Sequence, residues 1–509
     1  MKDKRVRYLL ILILVLGSVV RLFHLDRLPG EIYGDISINI EYLERISQLG
    51  WPHNFVLSAG PFYYYAVFPI IFFLGNNYLA LKIGSSIFGI LTIFFTFLLS
   101  RKLANLQIAL IASLFTAISF WVLIFSRLGN IQIIIPLIII LSYYFLILWL
   151  ERISDKKDGS SYLFLSLIFA CFGLYTMPQS FILLPLIILT ILFYLFFWRK
   201  KIENAQEIIL KTLLLSFILS IPFIFLVYSD LANFTHGYIG GKLGLHQDVT
   251  ATLSQSLINL KRALMMFNIK GDMVFRSNIS KAPHLDFVSG LLLILGIIIW
   301  FWKNRQMAIM FGLLPVFVLL LPSVLVLGRP QEVPSASRAI GVTPFIYLLI
   351  AYGFSGLYGF LKPKISKHIA VFILTVIFCQ ITLANMQNYF IKYAYGLPNH
   401  NLAFDRIIAN WIVKLPSQTK VYLTSCCWGD WGQPEPKGVY YSLDIQDRGR
   451  YYFTPQLNCM NFQSTSPYVI ILDPKDRIRI NSLYECLHKY VHTYKAGNTD
   501  VFSYISSSY

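Results

Sequence analysis

Apolar segments about as long as a membrane is thick make up most of this chain, and they limit its fold more than any single motif does. A helix crosses a bilayer with about 20 apolar residues, because it rises about 1.5 Å per residue through a hydrocarbon core about 30 Å thick. A helix is favoured there because it satisfies its backbone N–H and C=O groups within the segment. With 56% hydrophobic and only 13% charged residues over 509 positions, the sequence predicts a polytopic α-helical membrane protein. Eleven helices are expected, near residues 8–23, 80–100, 103–123, 131–150, 161–177, 179–197, 210–228, 287–302, 306–327, 339–360 and 368–386.

Short basic connections between these segments indicate an orientation, because cytoplasmic loops carry an excess of Lys and Arg. Residues 60–75 are also apolar, but they are short for a span and contain two prolines. If they lie in the membrane interface, all five basic loops fall on one side, which is then the cytoplasmic side with the N-terminus. The basic loops are Arg101-Lys102, Lys156-Lys157, Arg199 to Lys201, Lys303 with Arg305, and Lys362 to Lys367.

With the basic loops on the cytoplasmic side, the eleven spans predict a protein of the cell membrane with long extracytoplasmic loops at 24–79 and 229–286. Chemistry is therefore expected on the outer face. The net charge of +18 does not indicate nucleic acid, since it lies in short loops and no soluble module of aromatic and basic residues accompanies it. Membrane lipids are the expected surroundings.

The composition changes near residue 388, which predicts two domains: a transmembrane domain over 1–387 and a small extracytoplasmic α/β domain over 388–509. Residues 404–413 have helical periodicity, and 420–424 and 468–472 are typical of buried strands. Residues 491–494 and 501–504 predict a hairpin around Gly497-Asn498.

Four of the six cysteines lie in this C-terminal domain, and an extracytoplasmic location favours one or two disulfides among them. Their pairing stays open. A zinc site is the alternative, but the spacing matches no common zinc pattern. The four are Cys426, Cys427, Cys459 and Cys486.

Asp35 follows the first span by about a dozen residues, on the side that is predicted to be extracytoplasmic. It precedes the amphipathic stretch 36–49. One interpretation is a helix cap. The other is a general base, which must be ionised to accept a proton. The two roles are compatible, because a helix N-terminus favours the carboxylate form.

Arginines at the outer ends of spans run against the usual loop bias. Arg127, Arg329 and Arg338 either reach toward lipid headgroups or bind phosphate, to which guanidinium presents forked donors. The outer loop 229–286 adds Asp272, Arg276 and His284, each of which a hydrated loop commonly carries. No Walker-type glycine loop, G-x-S-x-G or H-E-x-x-H motif is present.

Taken in order, the motifs resemble the GT-C superfamily of membrane glycosyltransferases, and in particular protein O-mannosyltransferases and the lipid A aminoarabinose transferase. The resemblance covers most of residues 1–390. The segments that carry it are Arg21 with Leu25, Asp26, Leu28 and Pro29, then Gly34-Asp35, residues 60–65, 125–129, 173–176, 270–272, 283–286 and 332–341.

The resemblance implies an inverting hexosyl- or pentosyltransferase that moves a sugar from a polyprenyl-phosphate-linked donor to an acceptor (protein, lipid or glycan). Asp35 is the implied base, and arginines are implied to hold the leaving phosphate. The candidate substrate-binding residues are Arg127, Arg276, Arg338, Tyr63, Tyr64, Tyr175, Asp272, His284 and Glu332.

Two positions depart from the family pattern. Ile36 replaces a second acid that many relatives carry, which weakens the case for a divalent metal held by adjacent acids, so no metal ligand is predicted. Ala59-Gly60 replace a Lys or His, which leaves phosphate neutralisation to the arginines.

Two other functions stay open at the level of sequence. A flippase or transporter of lipid-linked sugars would favour ionisable residues within the spans and repeated halves, and few of the former and no repeat are seen. A glycan polymerase or ligase would be expected to place its key residues in a late, large loop rather than in the first one.

Overall fold

A computed structural model describes residues 4–30, 32, 34–49, 59–198, 205–235, 249–397, 401–424, 436–455, 457, 462, 464 and 466–507. Each of the eleven predicted segments falls on helix. The helices are α1 Lys4–Leu22, α2 Gly34–Leu49, α3 Phe62–Leu74, α4 Tyr78–Leu103, α5 Leu106–Ile118, α6 Phe120–Arg127, α7 Ile134–Ser154, α8 Ser160–Leu174, α9 Leu183–Phe197, α10 Ala205–Ser229, α11 Leu231–Thr235, α12 Val249–Met265, α13 Phe287–Lys303, α14 Arg305–Ala308, α15 Leu314–Val324, α16 Ala336–Ala339, α17 Thr343–Leu361, α18 Lys367–Gln387, α19 Ala394–Gly396, α20 Phe404–Val413, α21 Pro436–Ser442, α22 Ile445–Arg448 and α23 Arg477–Leu487.

Within the described ranges, seven helical segments are long and apolar enough to cross a membrane, or eight if the bent pair α5 and α6 forms one span. The polytopic α-helical fold class is thereby confirmed. α3, α8 and α13 are shorter apolar helices of 13, 15 and 17 residues. Contacts divide the chain into two compact units, and each is described by itself.

The first unit comprises Met1–Leu25, Leu49–Ile70 and Leu81–Tyr393. At its centre the first half of α17, from Thr343 to Gly353, is buried. α13 approaches α17 at backbone distance, because glycines lie at the crossing. A Cβ on Gly296 would come within 1.8 Å of the Leu349 carbonyl oxygen, and one on Gly353 within 2.0 Å of the Leu292 oxygen. Small residues allow such close packing in the absence of a hydrophobic driving force between helices.

The pair α5 and α6 bends by 56° at Ser119. The break removes the Phe120 N–H from the helical hydrogen-bond ladder, and this N–H donates to Asn385 Oδ1 at 2.8 Å. Asn385 is held in turn, because its Nδ2 donates to the Ile381 carbonyl at 2.8 Å and to Asp286 Oδ2 at 3.1 Å. A side chain of α18 thus completes the backbone hydrogen bonding of a broken helix.

The second unit comprises Asp26–Gln48, Ile71–Ala80 and Ala394–Tyr509. It contains a five-stranded mixed sheet in the order β2-β1-β3-β5-β4, in which β1, β2 and β3 are parallel and β5 runs antiparallel to β3 and β4. The strands are β1 Lys420–Leu423, β2 Tyr451–Phe453, β3 Tyr468–Leu472, β4 His492–Ala496 and β5 Thr499–Ser506.

This sheet confirms the small C-terminal α/β fold that the sequence predicts. The hairpin turns at Gly497, whose φ of +61° lies in the left-handed region that suits glycine. Aliphatic side chains cover both faces: Val421, Leu423 and Ile471 pack on one and Ile470 and Leu472 on the other. The short edge strand β2 was not predicted, since three residues show no readable alternation.

The unit boundary after Tyr393 lies close to the predicted one at residue 387, but residues 26–48 and 71–80 also join the second unit. Cys486 is disulfide-bonded. Cys426, Cys427 and Cys459 lie outside the described residues, so the pairing stays a prediction. Cys171 and Cys379, on apolar helices, are free.

Candidate functional site

Two segments that carry the family resemblance meet in the first unit. The Gly60 N–H donates to the Thr176 carbonyl at 2.6 Å, and the Phe62 N–H donates to the Tyr175 carbonyl at 2.9 Å. A Cβ on Gly60 would lie 2.5 Å from the Tyr175 oxygen, so only glycine permits this approach. The start of α3 is therefore fixed on the turn that follows α8.

An apolar cavity of about 830 Å³ opens beside this contact. Its volume falls in the range of about 300–1,000 Å³ that small-molecule sites occupy. Aromatic and aliphatic side chains of α3, α8 and α10 form most of its wall. The lining residues are Pro61, Phe62, Tyr65, Ile168, Cys171, Phe172, Tyr175, Leu219, Pro222, Phe225, Leu226, Tyr228 and Ser229.

Of the three tyrosines that the sequence singles out around this position, Tyr175 lines the cavity. Tyr63 and Tyr64 are buried away from its wall, and the Tyr63 hydroxyl lies 3.5 Å from Ser85 Oγ. Tyr65, the third residue of the same aromatic run, lines the cavity instead. Sequence reasoning missed Tyr65 because the run gives no sign of which face of α3 is turned inward.

Asp272 joins the connection 266–286 to the start of α16. Its Oδ1 accepts the Val274 N–H at 2.8 Å, and its Oδ2 accepts the Ala336 N–H at 2.7 Å. Burial raises the pKa of Asp272 to about 6, although these N–H groups and Arg338 lower it. The carboxylate thereby fixes the start of α16, which carries Arg338.

His284 is fully buried beside the same connection, with its ring stacked on Trp121 at a centroid distance of 4.7 Å. Neither ring nitrogen has a hydrogen-bond partner in the part of the chain that the structure describes. Burial lowers the pKa of His284 to about 3, so the imidazole is neutral at ordinary pH. Trp121 Nε1 donates to the Ala336 carbonyl at 3.2 Å, which places both rings beside the residue that Asp272 binds.

Arg338 and Glu332 form an ion pair through Arg338 Nη2, and Arg329 lies 3.5 Å from the other Glu332 oxygen. Arg338 is only 9% exposed, and its Nη1 has no hydrogen-bond partner among the described residues. Buried guanidinium nitrogens are normally satisfied. This nitrogen is therefore a buried donor that none of the described residues satisfies.

Arg127 has a different environment. It is fully buried, and its guanidinium donates to the carbonyls of Val20, Arg21 and Phe23 at 2.6–2.8 Å and to the Tyr389 hydroxyl at 2.9 Å. These carbonyls lie at the C-terminal end of α1, so Arg127 caps that helix. Because these four oxygen atoms already accept hydrogen bonds from the guanidinium, the structure does not favour the phosphate-binding role that the sequence suggests for Arg127.

Arg276 is half-buried in the connection 266–286, and its carbonyl accepts the Tyr393 hydroxyl at 2.7 Å. Its side chain stays a candidate phosphate ligand. The first unit thus holds all of the predicted substrate-binding residues, with Asp272, Glu332 and Arg338 grouped around α16.

Asp35 lies in the second unit, in the first turn of α2. The helix begins at Gly34, so Asp35 is inside the helix rather than at its cap. Its side chain is exposed and has no hydrogen bond or ion pair with any residue that the structure describes. Ile36, Ile40 and Leu43 are buried and fix an adjacent face of the helix.

Among the described residues, no group of three or more His, Cys, Asp or Glu side chains is arranged to hold a metal ion. The position after Asp35 is the buried Ile36. The residues present around Asp35 therefore do not fit a metal that is held by adjacent acids.

Comparison with known proteins bears on both sequence and fold. Residues 59–226 match the sequence model of the dolichyl-phosphate-mannose-protein mannosyltransferase family. This segment contains both the Gly60–Tyr175 contact and most of the cavity wall. No curated protein sequence matches the chain.

The fold is similar to that of ArnT from Cupriavidus metallidurans. The apo structure aligns with a TM-score of 0.59 and 11% identity over 97% of each chain. The structure bound to undecaprenyl phosphate aligns with a TM-score of 0.56 and 10% identity over 99% of this chain and 98% of that one.

The oligosaccharyltransferase of Archaeoglobus fulgidus aligns with a TM-score of 0.55 and 13% identity over 89% of this chain, which spans 64% of that protein's length. The resemblance that the motifs predict is thus confirmed in the fold and in the matched segment. The chain is a polytopic membrane protein with the fold of the GT-C glycosyltransferases.

Proposed function

We propose that this chain is a membrane glycosyltransferase that moves a sugar from a polyprenyl-phosphate-linked donor to an acceptor at the outer face of the membrane. The observation that carries the proposal is the apolar cavity of about 830 Å³ built by the segment that matches the mannosyltransferase family. Its wall suits a prenyl chain, because apolar surface removed from water contributes about 25 cal/mol per Å² to binding. The similarity to ArnT, solved with undecaprenyl phosphate, supports this class of donor.

In this proposal Asp35 is the general base. Its carboxylate removes the proton of the acceptor hydroxyl while the acceptor oxygen bonds to the anomeric carbon of the sugar. The bond between that carbon and the phosphate oxygen breaks, and polyprenyl phosphate leaves with the bonding electrons. Attack opposite to the leaving group inverts the anomeric configuration. An exposed carboxylate without a partner in the described structure suits a base that an acceptor must reach.

We assign the leaving phosphate to Arg338 rather than to Arg127. The Arg338 Nη1 has no partner among the residues that the structure describes, whereas four oxygen atoms occupy the Arg127 guanidinium. A preorganised guanidinium stabilises the negative charge that develops on the phosphate as the glycosidic bond breaks. Asp272 supports this role by binding the backbone N–H of Ala336, two residues before Arg338.

The test is the Asp35→Asn variant, which keeps the size of the side chain and removes its basicity. We expect transfer to fall by about 10²–10⁴-fold, the usual contribution of general base catalysis. The measurement is transfer of radiolabelled sugar from polyprenyl-phosphate-sugar donors to acceptors by the purified protein. The matched control is Asp500→Asn, since Asp500 is also exposed in the second unit and, among the described residues, its side chain pairs only with the exposed Lys495.

Near-normal transfer by Asp35→Asn would overturn the base assignment. Movement of the intact donor across a vesicle membrane, without release of its sugar, would overturn the transferase itself in favour of a flippase.

A further inference from the structure

The chain just before Asp35 is held by two residues that follow it by more than 370 positions. The Gly30 N–H donates to Asn401 Oδ1 at 2.7 Å, and Asn401 Nδ2 donates to the Arg27 carbonyl at 3.1 Å. Arg406 donates to the carbonyls of Asp26 at 3.0 Å and Gly30 at 3.3 Å. A Cβ on Gly30 would lie 2.4 Å from the Asn401 carbonyl oxygen, so the two backbones are in direct contact.

The helix that carries Asp35 is held on its other side by two ion pairs. Lys437 Nζ lies 2.6 Å from Glu41 Oε2, and Arg448 Nη1 lies 3.0 Å from Glu44 Oε1. Glu41 and Glu44 are three positions apart on α2, so they share one face of the helix. Lys437 belongs to α21 and Arg448 to α22.

Arg448 is the better fixed of these two cations. Its side chain is 16% exposed, and its Nε donates to the Leu443 carbonyl at 3.1 Å. The guanidinium also lies 5.0 Å from the ring centroid of Tyr440 and 5.4 Å from that of Tyr441. A guanidinium held by a carbonyl and two aromatic rings loses little further freedom when it binds a carboxylate.

The charge environment of Glu41 agrees with this geometry. Burial alone would raise the pKa of Glu41, but the hydrogen bonds and charges of Lys437 and Arg45 outweigh it and hold the pKa below its ordinary value. The ion pair with Lys437 is therefore present at neutral pH.

Asp35 itself makes no contact that would orient its carboxylate within the described structure. Its direction consequently depends on the backbone on either side of it, which four residues hold: Asn401 and Arg406 before Asp35, and Lys437 and Arg448 after it. We propose that the C-terminal α/β domain is a positioning element for Asp35, with Asn401 and Arg406 fixing the chain before it and Lys437 and Arg448 fixing the helix after it. This inference rests on the proposed role of Asp35 as base.

The test uses charge reversal in the full-length protein. Lys437→Glu with Arg448→Glu places like charges opposite Glu41 and Glu44 and breaks both pairs. Adding Glu41→Lys and Glu44→Arg restores opposite charges with the signs exchanged. Arg448→Lys is the conservative variant. Arg477→Glu is the control, because Arg477 is an exposed arginine of the same domain without an ion pair among the described residues.

The first measurement is amide hydrogen exchange in detergent. We expect the amides of α2 to exchange about tenfold faster in the Lys437→Glu, Arg448→Glu variant, and those of β3 to stay protected, because local opening raises exchange only where contacts are lost. The variant with all four substitutions should return the exchange rate of the α2 amides to that of the wild type. Arg477→Glu should leave that rate unchanged. Unchanged exchange in α2 of the double variant overturns the proposal.

The second measurement is kinetic. A misplaced base lowers kcat about tenfold or more with little change in KM for the lipid donor, and the charge exchange restores kcat. Arg448→Lys should retain most of kcat. Faster exchange in α2 with unchanged kcat overturns the positioning role.

Failure of the proposed function is recognised separately. If the wild-type protein transfers no sugar, that function is overturned, and the exchange rates still decide whether the C-terminal domain fixes this segment.

Discussion

Arg127 and Arg338 show how much of the role of a side chain can be predicted from the residues beside it in the sequence. Both are arginines beside the outer ends of predicted spans, and the sequence treats them alike. The acceptors that occupy Arg127 come from the end of α1, more than 100 positions earlier, and from Tyr389, 262 positions later. Such partners are invisible to local pattern. The residue type was therefore predictable at both positions, whereas the difference in role needed the fold.

Asp272 gives a prediction at this level, because its pKa of about 6 lies above its ordinary value of 3.8. As the pH falls through 6, the folded protein takes up a proton at Asp272 that the unfolded chain takes up only near 4. The free energy of unfolding should therefore rise by about 2 kcal/mol between pH 7 and pH 4 from this group. Asp272→Asn cannot ionise and should lack this contribution.

The measurement is denaturant unfolding of both proteins across that pH range, with the difference between them compared at each pH, so that other titrating groups cancel. Parallel profiles for the wild type and Asp272→Asn would contradict the assignment. The variant should be less stable at every pH, since an amide has one acceptor oxygen where the carboxylate has two for the Val274 and Ala336 N–H groups.

Helices and strands were predictable to the extent that their own residues determine them. Long apolar runs predict all eleven segments, since the bilayer requires every backbone group to be satisfied within a helix. The buried strands β1 and β3 and the hairpin strands β4 and β5 were also predicted, but the short β2 was not. The bend at Ser119 was missed, because the residue that makes it tolerable lies on α18.

Asn385→Leu tests that explanation of the bend. Leucine has about the same size but no acceptor, so the Phe120 N–H would be buried without a partner, at a cost of about 1–3 kcal/mol. We expect a lower midpoint of thermal unfolding in detergent. Thr375→Val on the same helix is the control, because Thr375 is exposed and its hydroxyl donates to the Val371 carbonyl of its own helix. An unchanged midpoint for Asn385→Leu would show that the bend does not depend on this acceptor.

The cavity forms where several helices pack together, and no single segment of the sequence predicts it. Apolar character predicts that a groove for a prenyl chain exists, but α3, α8 and α10 come together only in the folded unit. Residues 60–65 and 173–176, which meet in the Gly60–Tyr175 contact, are both among the segments that carry the family resemblance. The importance of these two segments was therefore predictable from the sequence. Which tyrosine turns inward followed from packing alone.

Leu219→Trp should partly fill this cavity. We expect KM for the lipid-linked donor to rise about tenfold. The effect should be larger for long prenyl chains than for short ones, because a cavity of reduced volume still accommodates a short chain but not a long one. Leu213→Trp is the control, since Leu213 is on the same helix but 47% exposed outside the cavity wall. Equal KM values for the two variants would contradict the assignment of the cavity to the donor.

The contacts that hold the Asp35 segment also set an order of events during synthesis. The Gly30–Asn401 bond closes a loop of 371 residues and the Glu44–Arg448 pair one of 404. Contacts between residues so distant in sequence are among the last to form, because the intervening chain must first be made and ordered. The Asp35 segment therefore reaches its place only after residues 401–448 have been made and folded. If Asp35 is the base that we propose, a nascent protein inserted in the membrane stays inactive until its C-terminal α/β domain has folded.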